Sequence, residues 1–353
     1  MLFIVVAISA FILARLCVAL GVRVGLVDYP DARKQHIGAV PLTGGIFIFL
    51  TILFGSLVLA IPAYSNGMLA IAVGVFLVGV FDDINHINPW LRLGIQYGAG
   101  MLLATYGGVV ILNVGDLLAM GDIPLLMLAM PLTALAVAGL SNAYNMIDGI
   151  DGLAASTLAL PLLVLYLLAV SGGHPNAGFL LLMLIPLMVF LVFNLGPNTR
   201  LLPRMFLGDG GSVTLGVLVA SSLIYFSQGE DAVIAPVTAL WLVSVPLMDM
   251  LSTMLRRAKA RRPLMKADRN HLHHTLMDMG LNRREALTTL FTYALCCSLT
   301  GLLLEQAPAY LSLAAYFALF MAHCLFVIKR QPATANSTQL AGPALGEQLS
   351  DSA

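Results

Sequence analysis

Long apolar runs alternate with short polar loops along almost the whole chain. One bilayer crossing takes about 17–22 apolar residues, and by that measure the pattern predicts eleven transmembrane helices. The predicted helices cover residues 1–21, 42–62, 67–81, 91–106, 124–140, 152–171, 177–194, 211–227, 232–252, 288–304 and 308–328. The expected fold class is therefore an all-α polytopic integral membrane protein.

Composition agrees with this interpretation, because 59% of the 353 residues are hydrophobic and only 10% are charged. Soluble domains contain about a quarter charged residues. The four cysteines all lie inside apolar segments. They are expected to be small packing residues, with no disulfide framework and no thiolate metal site.

The positive charges orient the chain in the membrane. With eleven helices, all 18 Lys and Arg residues fall in or beside alternate loops on one side, and the intervening loops contain none. Because positive loops stay in the cytoplasm, we expect a periplasmic N-terminus and a cytoplasmic C-terminus in the bacterial inner membrane. Residues 1–330 then form a single membrane-embedded domain, and residues 331–353 form a disordered cytoplasmic tail. The cytoplasmic catalytic loops are expected at 22–41, 82–91, 141–151, 195–211 and 253–287.

The same topology gathers most of the notable carboxylates on the cytoplasmic side: Asp28, Asp82, Asp83, Asp148, Asp151, Asp209 and Asp268. The longest of these loops, 253–287, carries half of the Lys and Arg residues. Carboxylates bind Mg²⁺, and Arg, Lys and His contact phosphoryl oxygens. Such a face suits a substrate in which a metal ion bridges phosphates.

The segment "NAYNMIDGIDGLAAS" (142–156) contains two of these acids, Asp148 and Asp151. Their spacing predicts one helical face, with Asn142 and Asn145 on the same face a turn earlier. Ionisable residues near membrane helices usually mark a functional site. Packing in a seam between helices is an alternative for the two Asn residues, but it suits two ionised acids poorly.

The other polar motifs each have a simpler structural interpretation. Asp82 and Asp83 could be a solvated helix end. Asp209, in a Gly-rich turn before a helix expected to open at Ser212, could cap that helix or hold a metal beside a phosphate.

A zinc cluster is an alternative for the histidines of "HLHH", His271, His273 and His274. No cysteine is near, however, and the spacing does not place all three on one helical face, so zinc is the weaker interpretation. The basic run 256–262 also suits anchoring to anionic lipid headgroups.

Several motifs in a fixed order carry a family resemblance. They are "LVDYPDARKQH", "PLTGG", "FDD", "NAYNMIDGIDGL", "NLGPNTR", "MFLGDGGS", "PVTALW", "PLMDM" and "DRNHLHH". Over about residues 20–330 the chain resembles the polyprenyl-phosphate N-acetylhexosamine-1-phosphate transferases, and most of all the bacterial branch that uses UDP-GlcNAc and undecaprenyl phosphate.

The resemblance implies an activity, a cofactor and partners. N-acetylhexosamine-1-phosphate, with GlcNAc as the default sugar, would pass from a UDP-sugar to undecaprenyl phosphate and release UMP, with Mg²⁺ as cofactor and Mn²⁺ as a substitute. This would be the first membrane step of O-antigen or a related surface polysaccharide. The partners would be the two substrates and the bilayer, with no nucleic acid; a homodimer is left open. Direct attack by the lipid phosphate is favoured over a covalent aspartyl intermediate.

Roles for individual residues follow from the same resemblance. It implies metal ligation by Asp209 and Asn145. Catalytic roles fall to Asp82, Asp83, Asp148, Asp151 and His271, with Asp82 expected to deprotonate or orient the lipid phosphate. Substrate contacts fall to Asp28, Lys34, Asn142, Arg257, Asp268, His273 and His274. His86 stands where the family often has a further acid.

Two rival functions stay open at this stage. The CDP-alcohol phosphotransferases are also membranous and rich in Asp, but "DGIDGLAAS" lacks the Arg and the later acids of their pattern. A transporter that uses the acids for ion coupling would place them near the bilayer midplane on broken helices. Charge sidedness instead places them at cytoplasmic helix ends.

Overall fold

The computed structural model of the protein describes residues 1–30, 38–85, 87–264 and 271–330. In this part of the chain the α-helices are α1 (Leu2–Val24), α2 (Gly44–Leu57), α3 (Asn66–Asn85), α4 (Pro89–Tyr106), α5 (Ala129–Ile147), α6 (Leu153–Ser171), α7 (Ala177–Leu195), α8 (Asp209–Tyr225), α9 (Pro236–Leu242), α10 (Ser244–Lys259), α11 (Leu272–Asp278), α12 (Arg283–Leu303) and α13 (Ala309–Lys329). Two short strands, β1 (Val27–Asp28) and β2 (Val40–Pro41), pair antiparallel, which the all-α expectation did not include.

Apolar composition makes most of these helices suitable for a bilayer. In the described residues, seven helical segments are long and apolar enough to cross a membrane, and a bent pair, α9 with α10, would be an eighth. The protein is thus a predominantly helical, multi-pass membrane protein. Each of the eleven predicted segments overlaps a helix or this pair, but α2 and α8 have only 14 and 17 residues. The number of crossings therefore stays a prediction.

The prediction of one continuous helix over 232–252 is wrong. The chain breaks at Val243, and α9 and α10 meet at an angle of 81°. Pro246 lies in the first turn of α10. Proline has no N–H and its ring crowds the carbonyl four residues earlier, which favours a break here, although α6 and α7 continue through Pro161 and Pro186.

The prediction that Asp148 and Asp151 share a helical face is also wrong. Helix α5 ends at Ile147, and Asp148 has a non-helical backbone. Gly152 takes a left-handed conformation (φ 74°) just before α6 begins, which glycine adopts without steric cost. The two acids therefore lie on a tight turn between two helices.

Helix α8 lies at the centre of the bundle and is buried from Gly210 to Ile224. It packs against α3, α5, α2 and α6. It begins at Asp209, not at Ser212 as expected. Helix α8 lies so close to α2 and α3 that both sides of each contact are glycine. A Cβ on Gly211 would lie 2.7 Å from the Cα of Gly45 in α2, and a Cβ on Gly79 in α3 would lie 2.5 Å from the Cα of Gly210.

The "PLTGG" motif (41–45) holds the segment that leads into α8. Gly44 and Gly45 donate backbone hydrogen bonds to the carbonyls of Phe206 and Leu207 at 2.9 and 2.8 Å, and Phe206 donates to Pro41 at 2.9 Å. These contacts place the start of α8 beside the ends of α3 and α5. One end of the bundle thereby collects the polar residues of three helices.

Candidate active site

Asp209, the first residue of α8, forms the centre of the polar cluster. Its Oδ2 accepts a hydrogen bond from Arg92 Nη1 at 3.0 Å, and the same nitrogen donates to Asp82 Oδ2 at 2.8 Å. The Asp82 side chain is only 4% exposed, whereas that of Asp209 is 43% exposed. One guanidinium therefore joins a buried acid of α3 to an accessible acid of α8.

Asp83 fixes the start of α8 from a neighbouring helix. Its two carboxylate oxygens accept hydrogen bonds from the backbone N–H groups of Asp209 (2.7 Å) and Gly210 (3.0 Å). A carboxylate satisfies the unpaired donors at a helix N-terminus and interacts favourably with its dipole. Gly208 has φ 76°, and a Cβ there would lie 2.8 Å from Asp83 Oδ2. The "GDGG" motif thus accommodates Asp83.

Asn145, in the last turn of α5, contacts Asp209 from the other side. Its Nδ2 donates to Asp209 Oδ1 at 2.8 Å and to the hydroxyl of Ser212 at 3.1 Å. In this orientation the amide nitrogen, rather than the amide oxygen, faces the acid. Asn145 therefore positions the Asp209 carboxylate in the structure.

Asp148 lies on the turn after α5 and makes no hydrogen bond or ion pair with the residues that the structure describes. Its side chain is open to solvent, yet protein atoms crowd around it. The resulting loss of hydration, and then the charges of Asp209, Asp151 and Asp83, raise the pKa of Asp148 to about 7. Ionisation of Asp148 is therefore less favourable than in water, first because of lost hydration and then because of the neighbouring negative charges.

Asp151 is paired, unlike Asp148. It forms an ion pair with Arg204, which lies in the segment before α8 and whose guanidinium carbon sits 6.0 Å from the centre of the Phe206 ring. The pair links the turn between α5 and α6 to the segment that leads into α8. Asp151 therefore stabilises one side of the site by this ion pair.

The histidine motif reaches the same turn from α11. A Cβ on Gly149 would collide with the His273 imidazole, so this ring packs directly against the turn between Asp148 and Asp151. The rings of His273 and His274 have centroids 4.1 Å apart. The rings of His271 and His273 are parallel, with centroids 5.9 Å apart. The structure thus brings the motif to the acidic cluster, as expected.

Other predicted site residues lie further from the acids. Asn142 is buried one turn deeper, where its amide donates to Gln96 of α4 and to Ala138 O at 2.9 Å. It occupies the helix seam considered as its alternative. Arg257 is buried at the end of α10 and donates to the carbonyl of Leu264. Asp28 lies on β1.

Three positions fall outside the described residues: Lys34 and Asp268, predicted to contact substrate, and His86, the departure from the family pattern. Their predicted roles stay predictions.

Sequence reasoning missed three residues that organise the site. Arg92 was counted only as a positive charge, although it lies in the first turn of the helix that follows Asp82 and Asp83. Arg204 was likewise taken only as part of the positive side. Asp249 was noted within "PLMDM" without a role, yet its carboxylate contacts the Nδ1 of His271 at 2.9 Å. A buried acid in an otherwise apolar helix was the available signal.

We use the name acidic end for the end of the bundle that contains Asp82, Asp83, Asp148 and Asp209. Its charge and its oxygen donors suit a hard divalent cation such as Mg²⁺, because Asp148 and Asp209 both present accessible carboxylates. The described residues contain no group of three or more His, Cys, Asp or Glu side chains arranged to hold a metal. Mg²⁺ commonly uses one or two carboxylates together with substrate phosphates, so the donors fit a site that is completed by substrate.

The fold and this end of the bundle define a multi-pass membrane protein with an acidic site at the helix ends. Residues 65–227 match the sequence model of glycosyl transferase family 4. An undecaprenyl-phosphate alpha-N-acetylglucosaminyl 1-phosphate transferase of Escherichia coli O157:H7 is 32% identical over 314 residues, covering 87% of this chain and 85% of the relative.

Two further relatives show the same level of similarity. The protein of the same name in Yersinia pestis is 31% identical over 92% of this chain and 90% of its own length. A "probable undecaprenyl-phosphate N-acetylglucosaminyl 1-phosphate transferase" of Bacillus subtilis (strain 168) is 30% identical over 90% of this chain and 88% of its own. The chain belongs to glycosyl transferase family 4.

Proposed function

We propose that this protein transfers N-acetylglucosamine-1-phosphate from UDP-GlcNAc to undecaprenyl phosphate, with release of UMP. The observation that carries the proposal is the convergence of Asp82, Asp83, Asp148 and Asp209 at one end of a membrane bundle, where Arg92 bridges Asp82 and Asp209. A membrane-embedded site suits an acceptor whose isoprenoid tail stays in the bilayer while its phosphate lies at the surface. The names of the relatives support the same substrates.

The distribution of positive charge supports a cytoplasmic active site. With eleven crossings, a periplasmic N-terminus and a cytoplasmic C-terminus, every Lys and Arg lies on the side of the acidic end. UDP-sugars are made in the cytoplasm, so this orientation gives the donor direct access. We place the protein in the bacterial inner membrane, at the first membrane step of O-antigen or related polysaccharide synthesis.

A divalent cation is part of the proposal, with Mg²⁺ preferred and Mn²⁺ as a substitute. Asp209 would hold it, with Asp148 as the second accessible carboxylate and Asn145 at its side, although the amide nitrogen of Asn145 now faces Asp209. When bound, such a cation neutralises charge on the transferring phosphates. It would also compensate the excess negative charge that raises the pKa of Asp148.

The chain's own residues then orient the reactants. Phosphoryl transfer needs in-line placement and charge stabilisation more than covalent help. Arg92 is suited to contact a phosphate, since its buried Nε has no hydrogen-bond partner among the described residues. Asp82 is buried and both its oxygens accept hydrogen bonds, from Arg92 and from the backbone of Ile87. We therefore favour an orienting role for Asp82, exerted through Arg92, over proton removal.

The remaining groups form the walls around the reacting phosphates. His273 contacts the turn that carries Asp148 and Asp151, and the rings of His271 and His274 lie against His273; all three would approach the diphosphate of the donor. Asp83 holds the N–H groups at the start of α8. We favour direct attack of the lipid phosphate on the donor, because a covalent aspartyl–phosphosugar intermediate would need its own open site for a second displacement.

The test is a turnover assay with the purified full-length protein in detergent. It receives undecaprenyl phosphate, Mg²⁺ and, in separate reactions, UDP-GlcNAc, other UDP-N-acetylhexosamines or UDP-glucose, and UMP release is measured. We expect UMP only when the lipid phosphate is present, with UDP-GlcNAc as the best donor and loss of turnover in EDTA. Turnover with a different UDP-N-acetylhexosamine would correct the sugar, and no UMP from any donor would contradict the function. The mass of the detergent-solubilised particle distinguishes a monomer from a homodimer.

A further inference from the structure

Asp249 is a buried carboxylate of α10 that lies outside the acidic cluster and is 2% exposed. One of its oxygens accepts the backbone N–H of Leu272 at 2.8 Å, and the other contacts Nδ1 of His271 at 2.9 Å. A carboxylate in this setting can only accept, so Nδ1 of His271 carries the proton. Asp249 therefore fixes the ring of His271 and the backbone of the next residue, Leu272.

The contacts continue from His271 to the turn that carries the acids. The rings of His271 and His273 lie parallel, and His273 packs against Gly149, which is next to Asp148. His271 itself is 7% exposed and immediately precedes α11. A displacement of the His271 ring would thus be passed to His273 and to the turn.

The contact between Asp249 and His271 connects two elements that are separated by a long loop. Helix α10 follows the 81° bend after α9, and Asp249 projects from it to the start of α11, which lies beyond the long loop. A charged side chain buried among membrane helices is costly unless it is paired. Among the described residues, the partners of Asp249 lie in the histidine motif and not in the acidic end.

We propose that Asp249 is a positioning residue for phosphosugar transfer, which holds His271 with Nδ1 protonated and keeps the histidine motif against the Asp148 turn. This inference rests on the proposed function. A positioning carboxylate behind a functional histidine sets the tautomer and leaves Nε2 as the remaining polar atom of the ring. Asp249 itself contacts no reacting group in this scheme.

The first test is a double-mutant cycle of Asp249→Asn with His271→Gln. The Asn side chain has the same shape and can still accept from Leu272, but it presents an amide NH₂ to His271 Nδ1 and forces the proton to Nε2. We expect kcat to fall on the order of 10²-fold, with the KM for UDP-GlcNAc changed less than about threefold. In the His271→Gln background the same change should cost no more than about twofold.

Glu305→Gln is the matched control, because Glu305 binds the other end of the same bent pair. Its carboxylate accepts from Ala235 N at 2.5 Å and from the hydroxyl of Thr238. This variant should lower thermal stability, and its effect on kcat should be the same with and without His271. Retention of activity in Asp249→Asn within about threefold, or an equal loss in both backgrounds, would overturn the proposal.

A second readout does not depend on turnover. In protein labelled with ¹⁵N-histidine, the His271 signals, identified by their loss in His271→Gln, should report protonated Nδ1 in the wild type and protonated Nε2 in Asp249→Asn. Protonation at Nε2 alone in the wild type would refute the proposed contact. If the wild type released no UMP from any UDP-sugar, the proposed function would fail. The spectrum would still show whether Asp249 sets the protonated nitrogen of His271. If His271→Gln had no measurable turnover, the spectrum would decide it as well.

Discussion

The two ends of the helix bundle hold polar residues in different ways. Helices α3, α5 and α8 each extend between the acidic end and the opposite end of the bundle. We call this opposite end the far end; it includes Tyr64, Asp116 and Gln228. At the far end, Gln228 Oε1 accepts the backbone N–H groups of Leu112 and Asn113 at 2.9 and 3.1 Å. Tyr64 donates to Ser222 at 2.8 Å.

Carboxylates show the contrast most clearly. Asp116 of the far end accepts two backbone N–H groups of its own loop, from Met120 and Gly121 at 2.8 and 3.0 Å. At the acidic end, loss of hydration and then the charges of the nearby carboxylates Asp209, Asp151 and Asp83 raise the pKa of Asp148. A folded chain has no structural need for such crowding, which costs stability. Uncompensated charge, rather than polarity alone, therefore distinguishes a functional end from a structural one.

The largest effect should come from Asp209→Asn, which removes an accessible charge of the acidic end while keeping the shape of the side chain. We expect UMP release to fall by about 10³-fold, because the divalent cation that would neutralise charge on the transferring phosphates loses the carboxylate proposed to hold it. Asp116→Asn is the matched change at the far end and should alter turnover by less than about twofold. Full activity in Asp209→Asn would contradict the metal assignment.

Arg92→Gln should have the next largest effect. It removes the guanidinium that joins Asp82 to Asp209, and we expect turnover to fall by about 10²-fold. Arg92→Lys should recover part of the loss, since a lysine keeps the charge but not the planar fork. Arg284→Gln, at an exposed position of α12, is the control in the same assay. Equal activity of the two glutamine variants would show that Arg92 serves only as a membrane-side anchor.

Gly149→Ala tests whether the histidine motif must touch the acidic turn. The added methyl group collides with His273, so the ring must move and turnover should fall by about tenfold through misplacement of the site. Gly139→Ala, on the adjoining helix α5, is the control, because a Cβ there meets no heavy atom within 4 Å. The comparison is made on initial rates, and wild-type rates in Gly149→Ala would separate His273 from the chemistry.

The smallest effect on turnover should come from Gln228→Ala at the far end. Three hydrogen bonds to Leu112 and Asn113 disappear, which should lower the free energy of unfolding by about 1–2 kcal/mol. Activity per folded molecule should stay within about twofold of the wild type. Thermal inactivation in detergent measures the first quantity and initial rates the second; a large loss of turnover at unchanged stability would assign chemistry to the far end.

Sequence reasoning found most of the acidic residues but misjudged some of their local geometry. Apolar run length located the helices, because bilayer thickness and backbone hydrogen bonding leave few alternatives. The same periodicity placed Asp148 and Asp151 on a helix, where Gly149 and Gly152 instead allow a turn. Helical spacing cannot register such a break, nor that His273, far away in sequence, packs against the turn.

Partners distant in sequence were beyond the reach of any local pattern. Arg92 and Asp209 are 117 residues apart, and Arg204 and Asp151 are 53 apart. Nothing in the neighbourhood of Asp249 indicates that it contacts His271. These pairs depend on which helices are adjacent, and adjacency is set by close contacts such as Gly45 with Gly211 and Gly79 with Gly210.

By itself the sequence determined that the chain is a helical membrane protein, because hydrophobic run length acts locally and independently of packing, and it predicted that the Lys and Arg residues lie on one side. Only the tertiary structure decided which acid is buried, which is exposed and which cation joins them. Those properties depend on desolvation and on distances between helices, and they arise only when α3, α5 and α8 meet at one end. Of the two roles expected for Asp82, its burial and its contact with Arg92 favour orienting over proton removal, and the contact of Asp249 with His271 is visible only in the folded chain.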